Sequence, residues 1–436
     1  MKQTILDLQQ ADCDLPSSPD DLFEWMHANA EDATRQYTQY LDGRKAGEPR
    51  RYFTNRAHAL YFLRMVAPTK LVDGAWLYGL LRHWRNPRLA DLVRTYVEEL
   101  GEGSHDKNHV LLYRQLLSRY GVDSLDGIDD SSFMQGLVQL SLAWNADEFL
   151  PEVIGFNLGY EQLPLHLMIT AYELNELGID PYYFTLHVTV DNSDTGHAKR
   201  AVQAVIDNIP RLGDASEFWS RVRNGYKLGN AGVGTTSVIS GFDIAKEVVR
   251  IFSQKSLAGH GAHSDYCRVG GRHVNDWLAN PADMPQFIDS LKRAGWIKVG
   301  GAVEESRFWQ LLQGERAEMF GVFSSYELQV IYDWIRGEAS RDGQAYTAHA
   351  DVDGKQRVPS FRVAERLAGV RGQRMPPVQP PGGLLDSDLQ SLTAQLQKLD
   401  AEGQNELLLE AMSPALHWTP AGLSATRLFC ERWSAS

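Results

Sequence analysis

From Tyr52 to about Pro210 apolar residues recur every three or four positions, as in Leu60, Leu63 and Val66 and again in Leu137, Leu140 and Trp144. That spacing puts them on one face of a helix with 3.6 residues per turn, so the stretch reads as a series of long amphipathic helices packed against one another. The breaks between them are Gly121-Val122-Asp123, Gly178-Ile179-Asp180-Pro181 and Ile209-Pro210. Asp180 ahead of Pro181 is a helix start, an N-cap side chain followed by a residue whose φ is already set. No strand alternation recurs, and the predicted fold class is all-α. Residues 214–234 read as a turn-rich connection. Its Gly229-Asn230-Ala231-Gly232-Val233-Gly234 cluster lacks both the Lys-Ser/Thr pair and the preceding strand of a phosphate loop, which leaves a plain loop. The pattern divides the chain into an N-terminal extension (residues 1–50), a main helical bundle (51–235), a second helical region (236–337), a polar and Pro-rich linker (338–384) and a C-terminal helix with a tail (385–436). The final helix is expected from Asp386 to about Leu409.

Composition narrows the partners. The 436 residues are 43% hydrophobic and 23% charged, an ordinary globular balance with ample length for a full core. A net charge of -13 repels nucleic acid and anionic membrane alike. Cys13, Cys267 and Cys430 are odd in number and far apart, so no disulfide framework is expected and a reducing cytosol is the default compartment. Met1 to Leu15 lacks the apolar run of a secretory signal, and no stretch approaches a membrane span. A soluble, cytoplasmic protein is expected.

Ionisable residues interrupt the apolar helices at four places. In the helix expected after Asp180-Pro181, His187, Asp191, Asp194 and His197 are spaced by four, three and three residues. At about 100° per residue they share a stripe roughly 120° wide. Two imidazoles and two carboxylates are costly to bury without a partner, and iron or manganese suits that mixture of nitrogen and oxygen donors. A solvated helix face fits the stripe equally well, although the Tyr182-Tyr183-Phe184 flank argues against full exposure. The second place is Glu99 to His109, where Gly101 and Gly103 break the helix and fold an acid and an imidazole toward one point. Taken alone, both also read as helix-end residues. The third is Glu161, a lone carboxylate among apolar and small residues beside the kink expected at Pro164, as a ligand or as a cap of the kink. Asp73 is the fourth, in a mostly apolar segment where an N-cap role is the simpler reading. Four helices offering acids and imidazoles match a dinuclear site embedded in a bundle. The group His260, His263, Cys267 and His273 fits no standard zinc spacing and reads as structural.

Glu99 with His109 ten residues on, Glu161 in Gly-Tyr-Glu-Gln-Leu-Pro, and the Asp/His helix after Asp180-Pro181 resemble the haem-oxygenase-like diiron oxidases, the iron-containing redox enzymes. Lys255, His260, His263, Trp277-Leu278, Gly295-Trp296-Ile297, Ser306-Arg307-Phe308-Trp309 and Met319-Phe320-Gly321-Val322-Phe323 look like the C-terminal part of the longer members, so the resemblance covers roughly residues 55–337. It implies a seven-helix haem-oxygenase-like bundle with an additional helical C-terminal region. It also implies two Fe2+ per chain and O2 as co-substrate. Carried over, the family pattern marks Asp73, Glu99, His109, Glu161, Asp194 and His197 as metal ligands, with His187 and Asp191 as rivals on the last helix. The family's Asp-x-x-His spacing favours Asp194 and His197. Where members offer Glu on the first ligand helix, this chain offers Asp73. The implied activity is oxygenation or oxidative cleavage of a small amine, amino acid or carboxylic acid in specialised biosynthesis, with a homodimer as the assembly allowed for. The competing readings are a non-catalytic metal-binding or partner-binding helical protein, and a haem protein, which the many carboxylates beside the histidines disfavour.

Overall fold

Apolar spacing becomes helix wherever a cap or a breaker bounds it. The computed structural model describes residues 1–190, 196–264, 266–313, 317–337 and 386–435. Its longer helices are α1 (Leu22–Lys45), α2 (Arg56–Met65), α3 (Ala90–Glu99), α4 (His109–Tyr120), α5 (Met134–Trp144), α6 (Leu150–Tyr160), α7 (Leu165–Glu176), α8 (Tyr182–Val190), α9 (His197–Asn208), α10 (Ala215–Lys227), α11 (Ile244–Gly259), α12 (Met284–Arg293), α13 (Ser325–Arg336), α14 (Ser387–Leu396), α15 (Ala401–Ala411) and α16 (Pro420–Ala435). Among the described residues the strands are confined to a two-residue antiparallel ribbon, Arg268–Val269 with Arg272–His273, so the fold is all-α. None of these helices is long and apolar enough to cross a membrane.

Two apolar clusters form the interior. One gathers side chains of α2, α4, α7 and α8 with those of α11 to α13, including Phe62, Tyr113, Phe184 and Ile331. The other gathers α3, α5, α6, α9 and α10 with the start of α1 and the C-terminal helices, including Leu22, Tyr96, Phe156 and Leu408. The titratable residues singled out above sit on elements from both clusters, along the seam between them.

Several sequence expectations change here. Residues 215–227 form helix α10 rather than a turn-rich connection. Asp214 caps it through the Ser216 and Glu217 N–H groups, and Phe218, Trp219 and Val222 are buried against α6. The chain does not kink at Pro164 but breaks, with α6 ending at Tyr160 and α7 starting at Leu165. The single helix expected to carry His187 through His197 is two: α8 ends at Val190 and α9 opens at His197, behind Gly196 in extended backbone at φ -85°. Asp191 and Asp194 lie outside the described residues. Past residue 385 there are three helices rather than one, and they pack into the second cluster instead of trailing as a tail.

Candidate metal centre

All but one of the ligand-type side chains of the seam stand at a break in the helices, His187 being the exception. Asp73 lies in the turn between Ala67–Lys70 and the 3₁₀ helix Ala75–His83, and it caps nothing, since Gly74 holds the N-cap position. Gly74 has φ +78°, and a Cβ there would fall 2.9 Å from Glu99 Cβ, so glycine lets the Asp73 turn press directly on the end of α3. Glu99 is the last residue of α3. Gly101, Glu102 and Gly103 all have positive φ, which turns the chain sharply toward Asn108. Asn108 caps α4 by accepting from Leu111 N–H at 3.0 Å, so His109 emerges as the first residue of that helix. Glu161 follows the end of α6, His187 lies on α8 and His197 starts α9.

These residues form two groups. Asp73, Glu99, His109 and His187 each bring one donor atom within 4.8 Å of the others, and so do Glu99, Glu161 and His197. All are buried, and Glu99 belongs to both groups. His109 Nδ1 is 2.5 Å from Glu99 Oε2, and the His109 and His187 rings are 4.2 Å apart. His197 Nδ1 stands 2.8 Å from Glu161 Oε2 and 3.5 Å from Glu99 Oε1.

The hydrogen bonds tell these acids apart from structural ones. Glu173, fully buried on α7, accepts from Tyr40 O–H and from the backbone N–H groups of Arg51, Tyr52 and Phe53. Glu152 takes a two-pronged pair from Arg221, and Glu247 one from Arg250. Those carboxylates have the donors that burial demands. Glu99 and Glu161 face imidazoles and one another instead, and Asp73 faces His187 beside the Tyr183 hydroxyl. Among the described residues Glu161 Oε1 is buried without a hydrogen-bond partner.

The tautomers point the same way. His187 Nδ1 lies 2.9 Å from the Tyr183 carbonyl, which requires the proton on Nδ1. Burial and the neighbouring His109 push the ring's pKa down, so it stays neutral and its Nε2 presents a lone pair to Asp73 Oδ2 at 3.0 Å. Burial opposes ionisation of Asp73, but the groups around it, Lys70 foremost, hold the carboxyl below its ordinary range. Two acceptors thus face each other in the interior, an arrangement a cation between them resolves. At His197 burial is outweighed by Glu161, Glu98 and Glu99, which push its pKa up to about 11: these acids demand positive charge. His197 Nε2 is 2.9 Å from Glu98 Oε2, and Glu98 is itself held by Arg200. A ring nitrogen fixed by a carbonyl or carboxylate, with the other aimed at acids, is the usual setting of a metal-ligating histidine. The donor set fits a divalent first-row metal such as iron.

Spacing did not single out Glu98, Lys70 or the Tyr183 hydroxyl, which donates to Asp73 Oδ2 at 2.5 Å. Around His260 the described residues assemble no comparable group; His273 Nε2 meets Arg268 and Cys267 is exposed.

A buried carboxylate–histidine centre inside a helical bundle defines a class of metalloprotein in which facing helices supply the ligands. Residues 60–230 match the family model described as iron-containing redox enzyme, so this segment is similar to that family. The matched span holds every member of both groups, from Asp73 to His197. No curated protein and no solved structure matches the chain significantly. That similarity supports iron as the metal and oxidoreduction as the class of activity.

Proposed function

We propose that the centre holds two ferrous ions and that the protein is an O2-dependent non-haem diiron oxidase or oxygenase acting on a small amine, amino acid or carboxylic acid. The observation that carries this reading is Glu99, whose carboxylate belongs to both ligand groups, as a bridge between two metals requires. Asp73, His109 and His187 would complete one site, and Glu161 with His197 the other; Asp191 and Asp194 remain proposed additional ligands. When bound, a ferrous pair supplies the electrons that reduce dioxygen.

The protein's own residues do the positioning. The Tyr183 carbonyl holds the His187 proton on Nδ1 and so turns Nε2 inward. Glu98 accepts a hydrogen bond from His197 Nε2–H, which leaves Nδ1 toward Glu161 and Glu99. A cavity of about 610 Å³, within the usual range for small-molecule sites, adjoins the acids, with Phe62, Val66, Leu167 and Phe184 among its apolar walls. Those walls leave room for a substrate beside the acids.

The test is anaerobic loading with ferrous iron, followed by rapid mixing with oxygenated buffer. About two irons per chain, together with oxygen consumption that responds to candidate substrates, is the expected result. A chain that binds no iron is a helical binding module instead.

A further inference from the structure

Lys70 ends the short helix Ala67–Lys70, and its side chain is only 17% exposed. Its Nζ lies 3.6 Å from Asp73 Oδ2 and 5.8 Å from the centre of the Tyr183 ring, and among the described residues it donates no hydrogen bond. It opens onto the cavity that reaches Asp73, Glu99, Glu161 and His187, whose lining includes no other lysine or arginine among the described residues. Within the protein alone, Asp73 is the counter-charge of this half-buried ammonium. A metal ion on Asp73 takes that counter-charge away and adds positive charge beside Lys70. An ammonium left uncompensated among apolar walls needs a new anion.

We propose that Lys70 receives the carboxylate of the substrate, and that metal binding at Asp73 is what frees it to do so. The inference rests on the metal reading above. It makes metal and anion mutually reinforcing ligands, because each relieves the electrostatic cost left by the other. A single ammonium matches a singly charged carboxylate better than a phosphate dianion, which calls for several donors or cations. His166 also lines the cavity, and burial together with Lys70 lowers its pKa to about 4, so it stays neutral and presents a hydrogen-bonding ring without a competing charge.

The experiment uses the full chain loaded with Zn2+, which fills the centre without redox chemistry. Zinc content is measured first, and calorimetry then compares 4-phenylbutyrate with 4-phenylbutyramide, with and without the metal. The expected result is a preference for the carboxylate of about tenfold or more in the zinc-loaded protein. The preference shrinks in the metal-free protein, is lost in Lys70→Met and Lys70→Gln, and is retained in Lys70→Arg. L-Homophenylalanine in the same titration separates an amino acid from a simple acid, and tighter binding of either over the amide supports the inference. Failure of the wild-type protein to take up zinc overturns the metal reading itself. Zinc uptake with no carboxylate preference, with no binding of either anion, or with the preference intact in both Lys70→Met and Lys70→Gln overturns the role of Lys70 alone.

Discussion

His187 and His197 meet the same demand in different ways, one steadied by the carbonyl one turn back on its own helix and the other by the Glu98 carboxylate. The family's Asp-x-x-His spacing ranks His197 above His187; the geometry gives each histidine its own group. We therefore expect His187→Ala and His197→Ala to lower iron from about two to about one per chain to a similar degree, with helix content unchanged, measured after identical anaerobic loading. Two irons retained in His187→Ala would remove the Asp73 group from the centre. At this scale Glu99, His109 and Glu161 were legible because each is a titratable residue next to a helix-breaking signal. Glu98 and Lys70 were not. Neighbours along a helix point about 100° apart, so periodicity assigns only one member of the Glu98-Glu99 pair to the interior. Both reach the His197 ring because it lies at the very end of α3. Nothing local marks Lys70 as facing a cavity, which is a property of how distant segments pack.

The elements explain how six side chains from separate segments converge. Helix ends and turns, rather than helix interiors, deliver Asp73, Glu99, His109, Glu161 and His197, so the centre depends on the shape of short connections. The Gly74 turn is one of these. In Gly74→Ala the new methyl group meets Glu99 Cβ at 2.9 Å while the backbone stays at φ +78°. The expected cost is roughly 1–3 kcal/mol, seen as a melting temperature lower by several degrees, together with weaker metal retention against a chelator. A variant with wild-type melting and retention would show that the turn relaxes freely. Periodicity located most helices, but it lost α10, where the Gly-rich run at 229–234 drew the whole neighbourhood into a loop. Phe218, Trp219 and Val222 were already spaced for a buried face. The break between α8 and α9 was hidden in the opposite way: the regular spacing of Asp and His made one helix out of two.

For the whole molecule, two apolar clusters meeting along a seam of acids and imidazoles make acid sensitivity a property of the fold as well as of the centre. His58 is buried, 2.8 Å from the Ile239 carbonyl and stacked on Phe242, and burial lowers its pKa to about 4. His417, buried beside Asn108, is lowered to about 3 by burial, with Arg114 adding to the effect. Each ring stays neutral when folded but protonates near pH 6.5 when unfolded. Their contribution is complete above about pH 6.5 and falls as pH drops toward the folded values. Urea unfolding of the metal-free protein should show stability falling by on the order of 2–3 kcal/mol per such histidine between pH 6.5 and 4.5, with a shallower slope in His58→Gln. An unchanged slope in that variant would exclude His58 as a source. The C-terminal helices were the least legible part at this scale, because their role lies in what they touch. Met412 accepts from Tyr96 O–H, His417 holds Asn108, and the Trp418 ring stacks under Arg114, so residues 412–418 brace the connection between Glu99 and His109. That brace sets an order of events during synthesis. His417 leaves the ribosome 309 residues after Asn108, an interval of about 15–60 s at ordinary elongation rates, so every ligand in the two groups emerges well before the segment that locks the Glu99–His109 connection. A nascent chain thus passes through an interval in which both candidate groups have emerged without the brace that residues 412–418 supply.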